Sequence, residues 1–393
     1  MGHSYAVLGA GRQGTAAAYD IARFGEADRV AMVDADDRRV REAVIRVNSL
    51  VGLEAVHGVV ADVRDDPTMQ RILEDVDVFV SAVPYRFNRD LARVAIRSGA
   101  SMVDLGGNTE IVRDQLRLAP EARDAGITIV PDCGMGPGLN LTMAAYGMEL
   151  LDKPEHVFLL DGGLPQDPRP PWSYALTFNV EGLTNEYTGS ATFIRKGKLV
   201  EVPALTEREV VDFPGIGRLE AMVTSGGLST APWSFLGTLT SLENKTLRHP
   251  GHWAKMVAFK ELGLFDVTPI EVDGRAIAPR HVFHALFGPQ AGAGHVRDVC
   301  AIQARVLGQR GGAPAEVVVT IVDRFDEATQ FTAMERLTGW HAAIVAEMIA
   351  SGSMPTGAHP VELGVPPRPF MREALRRGLA IDARVGRAEE IIA

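Results

Sequence analysis

The sequence predicts an α/β protein with an N-terminal doubly wound parallel sheet, an inserted α+β domain with a largely antiparallel sheet, and a C-terminal helix that returns to the first domain. Three observations predict this fold. Short apolar runs alternate with helical segments in the first third of the chain, strand-like alternation with hairpin turns follows, and one long amphipathic segment lies near the end. We expect domains at residues 1–133, 134–332 and 333–393.

The length and composition are those of a globular protein with more than one core. The chain has 393 residues, of which 46% are hydrophobic and 23% charged. A net charge of -10 disfavours nucleic acid or a membrane surface as a general partner, because either would favour a basic face. We find no signal-peptide pattern and no apolar run near the roughly 20 residues that span a bilayer, so we expect a cytoplasmic protein.

The first domain is predicted from six β-rich runs separated by helical segments. Most of these runs are apolar without strict alternation, as expected when helices cover both faces of a parallel sheet. The runs are Tyr5–Leu8, Arg29–Val33, Ala55–Val60, Val76–Ala82, Ser101–Asp104 and Thr128–Pro131.

A glycine-rich turn directly follows the first of these strands. It contains Gly9, Gly11, Arg12, Gln13 and Gly14 and leads into a helix-favouring run. The first glycine permits a tight turn, the second allows the backbone to approach a pyrophosphate, and the third allows close packing of helix and strand. The helix N-terminus then favours phosphate binding. This unit predicts a Rossmann domain that binds a dinucleotide.

Asp34 ends the second strand, 20 residues beyond Gly14. Its carboxylate is suited to accept hydrogen bonds from the ribose hydroxyls of the adenosine, and it would repel a 2′-phosphate. We therefore predict NAD as the cofactor, although Arg38 and Arg39 lie close by. Asp62, after the third strand, either contacts the adenine amine or is a solvent-facing turn residue.

Two further loops follow the fourth and fifth strands, at the edge where ligands bind in open α/β sheets. We predict that both lie along the ribose and the nicotinamide, unless the second is an ordinary turn. The residues expected to contact the cofactor are Ala82, Val83 and Pro84 in one loop, and Asp104, Gly106 and Gly107 in the other.

Cysteine and metal chemistry are not indicated. Cys133 has no base near it in sequence and is interpreted as a small buried residue, and Cys300 is the one other cysteine. Two cysteines are too few for a disulfide framework. Without an HExxH motif, a CxxC pair or a carboxylate cage, we predict no metal.

In the inserted domain, residues 192–202 read as a β-hairpin around Lys196-Gly197. Polar clusters interrupt the strand-like stretches of this domain, as a ligand with several hydrogen bonds requires. Lys245 and Arg248 are candidates to hold a substrate carboxylate, or else are surface ion-pair residues. The candidate substrate-binding residues are Asn179, Tyr187, Thr224, Lys245 and Arg248.

The third domain is predicted from Met334–Ala350. Its apolar residues follow helical spacing, and Ser351-Gly352 together with Pro355 supplies a stop signal. We expect this helix to pack back on the first domain.

This order of domains resembles the saccharopine dehydrogenase-like reductases, and within them is most similar to the lysine 6-dehydrogenases. The motifs that carry the resemblance are Gly9–Gly14, Asp34, Val103–Gly107, Pro131-Asp132, Pro137-Gly138, Glu181–Leu183, Tyr187-Thr188, Glu201–Pro203, Leu219–Ala221, Thr224–Gly227, Lys245-Thr246, Arg248 and Gly251-His252.

The resemblance implies the NAD-dependent oxidation of L-lysine to its 6-semialdehyde with release of ammonia, by a homodimer or larger assembly. Such a reaction needs a group that accepts an amine proton near the working pH. His252 is the first candidate, because an unperturbed imidazole titrates in that range; the alternative is a structural histidine. Glu181 and Asp132 are the other candidates, as base or as partner of the substrate ammonium.

Other substrates and one non-catalytic role stay open. Saccharopine or a carboxyalkyl polyamine, as in the carboxynorspermidine dehydrogenases, would need additional arginines for its extra carboxylate. An NAD-binding sensor would bind the cofactor without oxidising an amine. A cyclase would use bound cofactor for internal redox chemistry and release no NADH.

Overall fold

The computed structural model describes residues 2–292 and 296–388, which form eighteen strands and fourteen helices. The strands are β1 (His3–Leu8), β2 (Ala27–Asp34), β3 (Val56–Val60), β4 (Val78–Ser81), β5 (Ser101–Asp104), β6 (Thr128–Val130), β7 (Lys153–Pro165), β8 (Ser190–Arg195), β9 (Lys198–Pro203), β10 (Glu209–Phe213), β11 (Gly217–Met222), β12 (Ser241–Arg248), β13 (Ile270–Val272), β14 (Arg275–Ile277), β15 (Asp298–Arg310), β16 (Ala313–Arg324), β17 (Gly357–Ala358) and β18 (Asp382–Arg387).

The helices are α1 (Arg12–Phe24), α2 (Asp37–Val51), α3 (Asp66–Leu73), α4 (Asn88–Ser98), α5 (Thr109–Leu116), α6 (Ala119–Asp124), α7 (Leu139–Met148), α8 (Val180–Glu186), α9 (Ala231–Ser234), α10 (His252–Glu261), α11 (Pro279–Ala291), α12 (Ala333–Ala350), α13 (Val361–Gly364) and α14 (Pro367–Arg376). A single 3-10 turn covers Tyr85–Phe87. No helix in the described ranges is long and apolar enough to cross a membrane.

The chain divides into two compact units. Unit 1 comprises residues 2–146, 229–234 and 335–379, and unit 2 comprises most of the remainder. The division differs from the predicted boundaries at 133 and 332 in two ways. Residues 134–146 stay with unit 1, where Thr142 of α7 hydrogen-bonds His341 of α12 at 3.0 Å. Residues 380–388 belong to unit 2, because β18 pairs with β16, so this part of the expected C-terminal helical segment is a strand.

Unit 1 contains the predicted doubly wound sheet. Its seven strands lie in the order β17-β6-β5-β4-β1-β2-β3 and all neighbouring pairs are parallel. The strand order reverses between β1 and β4, so the loops after these two strands leave the sheet at its topological switch point. Six of these strands were predicted from the sequence, and β17 adds a short seventh at the edge.

The long helix α12 returns to unit 1, as predicted. Its Trp340 ring stacks on Tyr19 of α1 with 6.2 Å between ring centroids. Gly339 packs so closely on α1 that an added Cβ would come 2.8 Å from the carbonyl oxygen of Gln13. A side chain at this position would separate the two helices.

Unit 2 is built on a mixed sheet of nine strands. The main path is β10-β11-β12-β7-β15-β16-β18, and β8 joins β12 to β9. Every pair is antiparallel except β12 with β7, which agrees with the predicted largely antiparallel sheet. The predicted hairpin is confirmed, with Arg195 paired with Lys198 across Lys196-Gly197.

An aromatic core covers one part of unit 2. Buried rings from α8, α10 and α11 and their flanking loops pack edge-to-face or stacked, with centroids 4.9–5.6 Å apart in the closest pairs. The rings include Tyr187, Trp253, Phe265, Phe283 and Phe287. This core supports the polar network of unit 2 described below.

Candidate functional site

The glycine turn of unit 1 is as tight as its sequence predicts. Gly9 adopts φ +107°, and a Cβ there would lie 2.6 Å from the carbonyl oxygen of Ala82. At Gly14 a Cβ would lie 1.8 Å from the carbonyl oxygen of Gly9. Around Gly11, by contrast, no heavy atom of the described residues lies within 4 Å of such a Cβ. The turn is therefore closed on the protein side and open where a phosphate would approach.

Helix α1 begins immediately after this opening. Arg12 is its first residue, Gln13 follows, and Gly11 is the N-cap, so among the described residues no side chain caps the first turn. The backbone N–H groups of an uncapped helix start, together with its dipole, favour an anion. These features fit the pyrophosphate of a dinucleotide.

Asp34 is held in a fixed orientation at the end of β2. Its Oδ2 accepts a hydrogen bond from the Ala10 amide at 2.9 Å, and its Oδ1 accepts one from the Asp36 amide at 2.9 Å. Each carboxylate oxygen has a further lone pair for a donor. Asp34 thus links the glycine turn to the second strand in the position expected of a ribose-binding acid.

The loops after β4 and β5 lie at the same edge of the sheet. The Ala82 amide donates to the carbonyl of Leu8 at 2.8 Å, which brings the Ala82–Pro84 loop beside the glycine turn. Val83 also packs there, 3.2 Å from the Cβ position of Gly9. In the second loop, Gly107 has φ +122° and lies against the ring of Tyr85.

Asp62 is engaged with a neighbour instead of standing open to a ligand. Arg64 donates to both of its oxygens at 2.6–3.1 Å. This pairing lowers the pKa of Asp62 to about 2. The geometry is that of the surface-turn alternative, since an adenine amine would have to compete with a guanidinium for the same oxygens.

Two buried carboxyl groups face each other where β5 and β6 end. Asp104 accepts hydrogen bonds from the Gly106 amide at 2.8 Å, from the Asp132 amide at 3.2 Å and from Gln115 Nε2 at 2.7 Å. Burial raises the pKa of Asp104, while these donors oppose the rise. Three donors favour its ionised form.

Asp132 is buried in the opposite condition. It is 1% exposed and adopts φ +63°, and within the described part of the chain neither carboxyl oxygen has a hydrogen-bond partner. Burial and the charge of Asp104 raise its pKa well above the usual range. A Cβ at Gly106 would lie 2.3 Å from its Oδ1, so only glycine leaves this carboxyl its place. A strained, unpartnered acid is a feature of functional sites.

Cys133 is the buried residue that the sequence predicts. It is fully buried, and burial followed by the nearby charges of Asp104 and Asp132 raises the pKa of its thiol. A thiol that resists ionisation is a poor nucleophile.

A separate buried network in unit 2 joins three of the predicted site residues. Arg248 Nε donates to the Tyr187 hydroxyl at 3.1 Å, and that hydroxyl contacts His252 Nε2 at 2.9 Å. Because His252 Nδ1 lies 3.4 Å from the carbonyl oxygen of Trp172, we assign the imidazole proton to Nδ1 and let Tyr187 donate to Nε2.

Arg248 retains hydrogen-bonding capacity within this network. It is 2% exposed, with the Tyr174 and Trp253 rings 5.2 and 5.6 Å from its guanidinium carbon. Besides Tyr187, it donates to the carbonyl of Leu247 at 2.9 Å and reaches Glu186 at 3.5 Å. Three contacts leave two of its five N–H groups for a ligand.

The structure changes the expected behaviour of His252. Burial, and then the positive charge of Arg248, lower the pKa of its imidazole well below the usual value. It is therefore neutral at pH 7, and its one acceptor nitrogen already faces the Tyr187 hydroxyl. The prediction assumed an unperturbed imidazole, and the buried position removes that assumption.

Lys245 does not join Arg248. Side chains alternate along β12, so residues 245 and 248 lie on opposite faces of the sheet. Lys245 pairs with Glu209 at 3.3 Å. Thr224 lies on the Arg248 side, where its hydroxyl contacts that of Thr246 at 2.6 Å.

Asn179 and Glu181 also lie apart from the Arg248 network. They were expected at a strand end, but the structure places them at the start of α8, where Asn179 Oδ1 accepts from the Glu181 amide at 2.7 Å. Both side chains are exposed. Asn179 therefore acts as a helix cap.

Several polar residues of these sites were not predicted from the sequence. Glu186 was noted only as a neighbour of Tyr187, and burial raises its pKa to about 7 against the opposing charge of Arg248. Glu362 and Ser229, which lie near Asp132 in unit 1, are single polar residues in otherwise unremarked stretches. No periodic pattern or motif identifies them.

The fold of unit 1, its glycine turn and its carboxyl-edge loops define a nucleotide-binding protein of the dehydrogenase type. Residues 5–130 match the family described as saccharopine dehydrogenase NADP binding domain, and residues 134–379 match the saccharopine dehydrogenase C-terminal domain. The chain belongs to the saccharopine dehydrogenase family, which confirms the resemblance at the level of the family.

Individual relatives are distant and longer. A saccharopine dehydrogenase [NADP(+), L-glutamate-forming] of Saccharomyces cerevisiae is 29% identical over 150 residues, which are 36% of this chain and 32% of that protein. A mitochondrial alpha-aminoadipic semialdehyde synthase of Rattus norvegicus is 26% identical over 217 residues, 52% and 23% of the two chains. The chain thus spans about a third or less of the length of these two relatives.

One solved structure supports the fold over the whole chain. The apo saccharopine dehydrogenase (L-Glu forming) from Saccharomyces cerevisiae superposes with a TM-score of 0.77 at 18% identity, covering 98% of this chain and 100% of the other. At that identity the match shows the fold.

Proposed function

We propose that the protein is a nicotinamide-dinucleotide-dependent oxidoreductase that acts on a C–N bond of an amino acid. The observation that carries this proposal is the coincidence, at one edge of the unit 1 sheet, of the open glycine turn, Asp34 and the unpartnered carboxyl of Asp132. The bound cofactor supplies the hydride acceptor for the carbon next to nitrogen.

Asp132 is the residue that we propose to handle the amine. Its carboxyl is buried, unpartnered and raised in pKa, so it is suited to bind an amine nitrogen and to exchange a proton with it. Asp104 anchors the Asp132 amide and keeps a negative charge beside it. This assignment chooses Asp132 over His252 and Glu181, one of which is a buried neutral imidazole and the other an exposed carboxylate.

For the cofactor we propose NAD. The family description and the yeast relative's name both indicate NADP, whereas the half-buried carboxylate of Asp34 at the end of β2 would repel a 2′-phosphate. We expect Asp34→Ser to raise the ratio of kcat/KM for NADP to that for NAD by roughly tenfold or more. Asp36→Ser, a neighbouring acid that caps α2, is the matched control and should leave the ratio unchanged.

In unit 2 we propose that Arg248 binds a carboxylate of the substrate. The guanidinium is buried, held by Tyr187 and the Leu247 carbonyl, and has N–H groups to spare. Tyr187 and His252 position it, as does the aromatic core around them. Arg248→Lys keeps the charge but loses the fork, and we expect KM for the amino acid to rise roughly 10–100-fold. Lys245→Met, on the opposite face, is the control.

L-Lysine is the substrate that we propose first. The reaction is L-lysine + NAD+ + H2O giving the 6-semialdehyde, NH4+, NADH and H+. Lysine has one carboxylate and two amines, and Arg248 is the one arginine with a side chain under 5% exposed in the described part of unit 2. Saccharopine, with three carboxylates, is the second candidate, favoured by the names of the yeast relative and the yeast structure.

The test is a coenzyme-reduction assay with L-lysine, saccharopine and L-ornithine, each with NAD+ and NADP+. We expect NADH from L-lysine. Reduction with saccharopine alone would remove lysine and keep the reaction class. If none of these amino acids reduces either coenzyme while NAD binds, a binding protein without this activity is the better description.

A further inference from the structure

A second buried acid lies close to Asp132. Glu362 of α13 is 3% exposed, and its Oε1 accepts hydrogen bonds from Thr230 Oγ1 at 2.9 Å and Ser234 Oγ at 2.6 Å. Its Oε2 is buried and has no hydrogen-bond partner in the described part of the chain. The charge of Glu362 contributes to the raised pKa of Asp132, so the two carboxyl groups are near neighbours.

The segment that joins these two acids comes from elsewhere in the chain. Residues 229–234 lie in sequence between β11 and β12 but belong to unit 1. Ser229 lies beside the Asp132 carboxyl, and the next residue, Thr230, donates to Glu362. Ser229 has the unusual φ of +42°, and its hydroxyl is buried without a partner of ordinary hydrogen-bond geometry.

Three buried side chains thus leave four polar atoms unpartnered: both oxygens of Asp132, Oε2 of Glu362 and Oγ of Ser229. No lysine or arginine of the described residues forms an ion pair with either acid. Buried carboxyl groups are ordinarily paired or hydrogen-bonded, because their desolvation is costly. The missing partner must carry several donors and a positive charge.

We propose that Asp132, Glu362 and Ser229 form a binding subsite for an ammonium group of the substrate. A primary ammonium brings three N–H donors and one positive charge, which matches the unpartnered oxygens and the uncompensated acids. The inference rests on the proposed function in taking the substrate to be an amine, and it adds Glu362 and Ser229 to the residues that recognise it. It predicts discrimination between an amine and a neutral isostere.

The experiment compares binding of L-lysine with binding of 6-hydroxynorleucine, in which a hydroxyl replaces the ammonium, by ligand-observed NMR titration of the NAD-loaded protein. Glu362→Gln retains a carbonyl oxygen for Thr230 and Ser234 and changes only the unpartnered atom and the charge. We expect it to weaken lysine binding about tenfold and to leave binding of the isostere and of NAD unchanged. Glu121→Gln, an exposed acid of the same unit, is the matched control.

Thr230→Val tests the structural alternative. If Glu362 only anchors residues 229–234, Thr230→Val will weaken lysine and the isostere alike, as much as Glu362→Gln does, and the proposal is overturned. It is also overturned if Glu362→Gln binds lysine as the native protein does, or if Mg²⁺ or Mn²⁺ displaces lysine from the native protein and not from Glu362→Gln.

The outcome separates this inference from the proposed function. Loss of lysine binding in Glu362→Gln without coenzyme reduction by any amino acid would leave the subsite standing and remove the activity. Coenzyme reduction with an unchanged KM for the amine in Glu362→Gln would do the reverse.

Discussion

Unit 1 buries charged side chains in two places, and they differ in how the charge is compensated. At the first, Arg377 Nε donates to both oxygens of Asp20 at 2.8 Å, and Glu347 and Glu373 complete the pairing of the guanidinium. At the second, Asp132 and Glu362 keep three unpartnered oxygens and no cation of the described chain.

This difference separates a structural role from a functional one. The Asp20–Arg377 pair joins α1 to the residue that follows α14, and both side chains are fully buried. Breaking such a pair leaves an uncompensated charge, so it stabilises the fold only while both partners are present. The Asp132–Glu362 pair lacks an internal partner, and its burial costs free energy that a ligand would recover.

The largest effect is expected for Asp132→Asn. Loss of the carboxyl should lower kcat/KM for the amine substrate about 10²–10⁴-fold, which is the usual contribution of a proton-transfer group. The free energy of unfolding should stay unchanged or rise, because a buried acid is removed. Steady-state kinetics and urea unfolding measure the two quantities, and a large loss of stability would make Asp132 a structural residue like Asp20.

Arg377→Leu should do the opposite. It leaves Asp20 buried and unpaired, so the free energy of unfolding should fall by about 3–5 kcal/mol. At a temperature where the variant stays folded, kcat/KM should match that of the native protein. Denaturant unfolding with a parallel activity assay tests both, and a selective loss of activity would contradict a purely structural role.

Replacing both partners should largely restore stability. Asp20→Leu combined with Arg377→Leu removes both buried charges, and apolar replacements of buried pairs are often neutral. We expect the double variant to lie within about 1–2 kcal/mol of the native protein. A double variant as unstable as Arg377→Leu alone would show that Glu347 and Glu373 also depend on the guanidinium.

The smallest expected effect is a pH dependence of stability. The pKa of Asp132 is raised in the folded state by burial and by Asp104, so above about pH 4 the folded protein binds more protons than the unfolded chain. Its contribution to stability therefore decreases as pH rises. Compared at pH 5 and pH 8, Asp132→Asn should gain stability relative to the native protein, and a constant difference would contradict the raised pKa.

The fold of unit 1 and its glycine turn were predictable because they are local. The strand, Gly9–Gly14, α1 and Asp34 follow one another within the first 34 residues, and each performs its role through backbone geometry or strand position. The hairpin around Lys196-Gly197 and the helix α12 were predictable for the same reason.

The side-chain sites were predictable only in part. Tyr187, Arg248 and His252 were singled out one by one, and they form one network. Lys245 was grouped with Arg248 because it is near in sequence, but the alternation of β12 separates the two. Asn179 occupies a helix cap because α8 begins where a strand end was expected.

The sequence by itself determined the nucleotide-binding fold and its family, because glycine spacing and apolar runs act over a few residues. Only the tertiary structure decided which buried groups are compensated. Thr230 and Glu362 are 132 residues apart in the chain and hydrogen-bond in unit 1, and Asp20 meets Arg377 across 357 residues. A carboxylate's role depends on the donors and cations that folding brings to it, and no short stretch of sequence contains them.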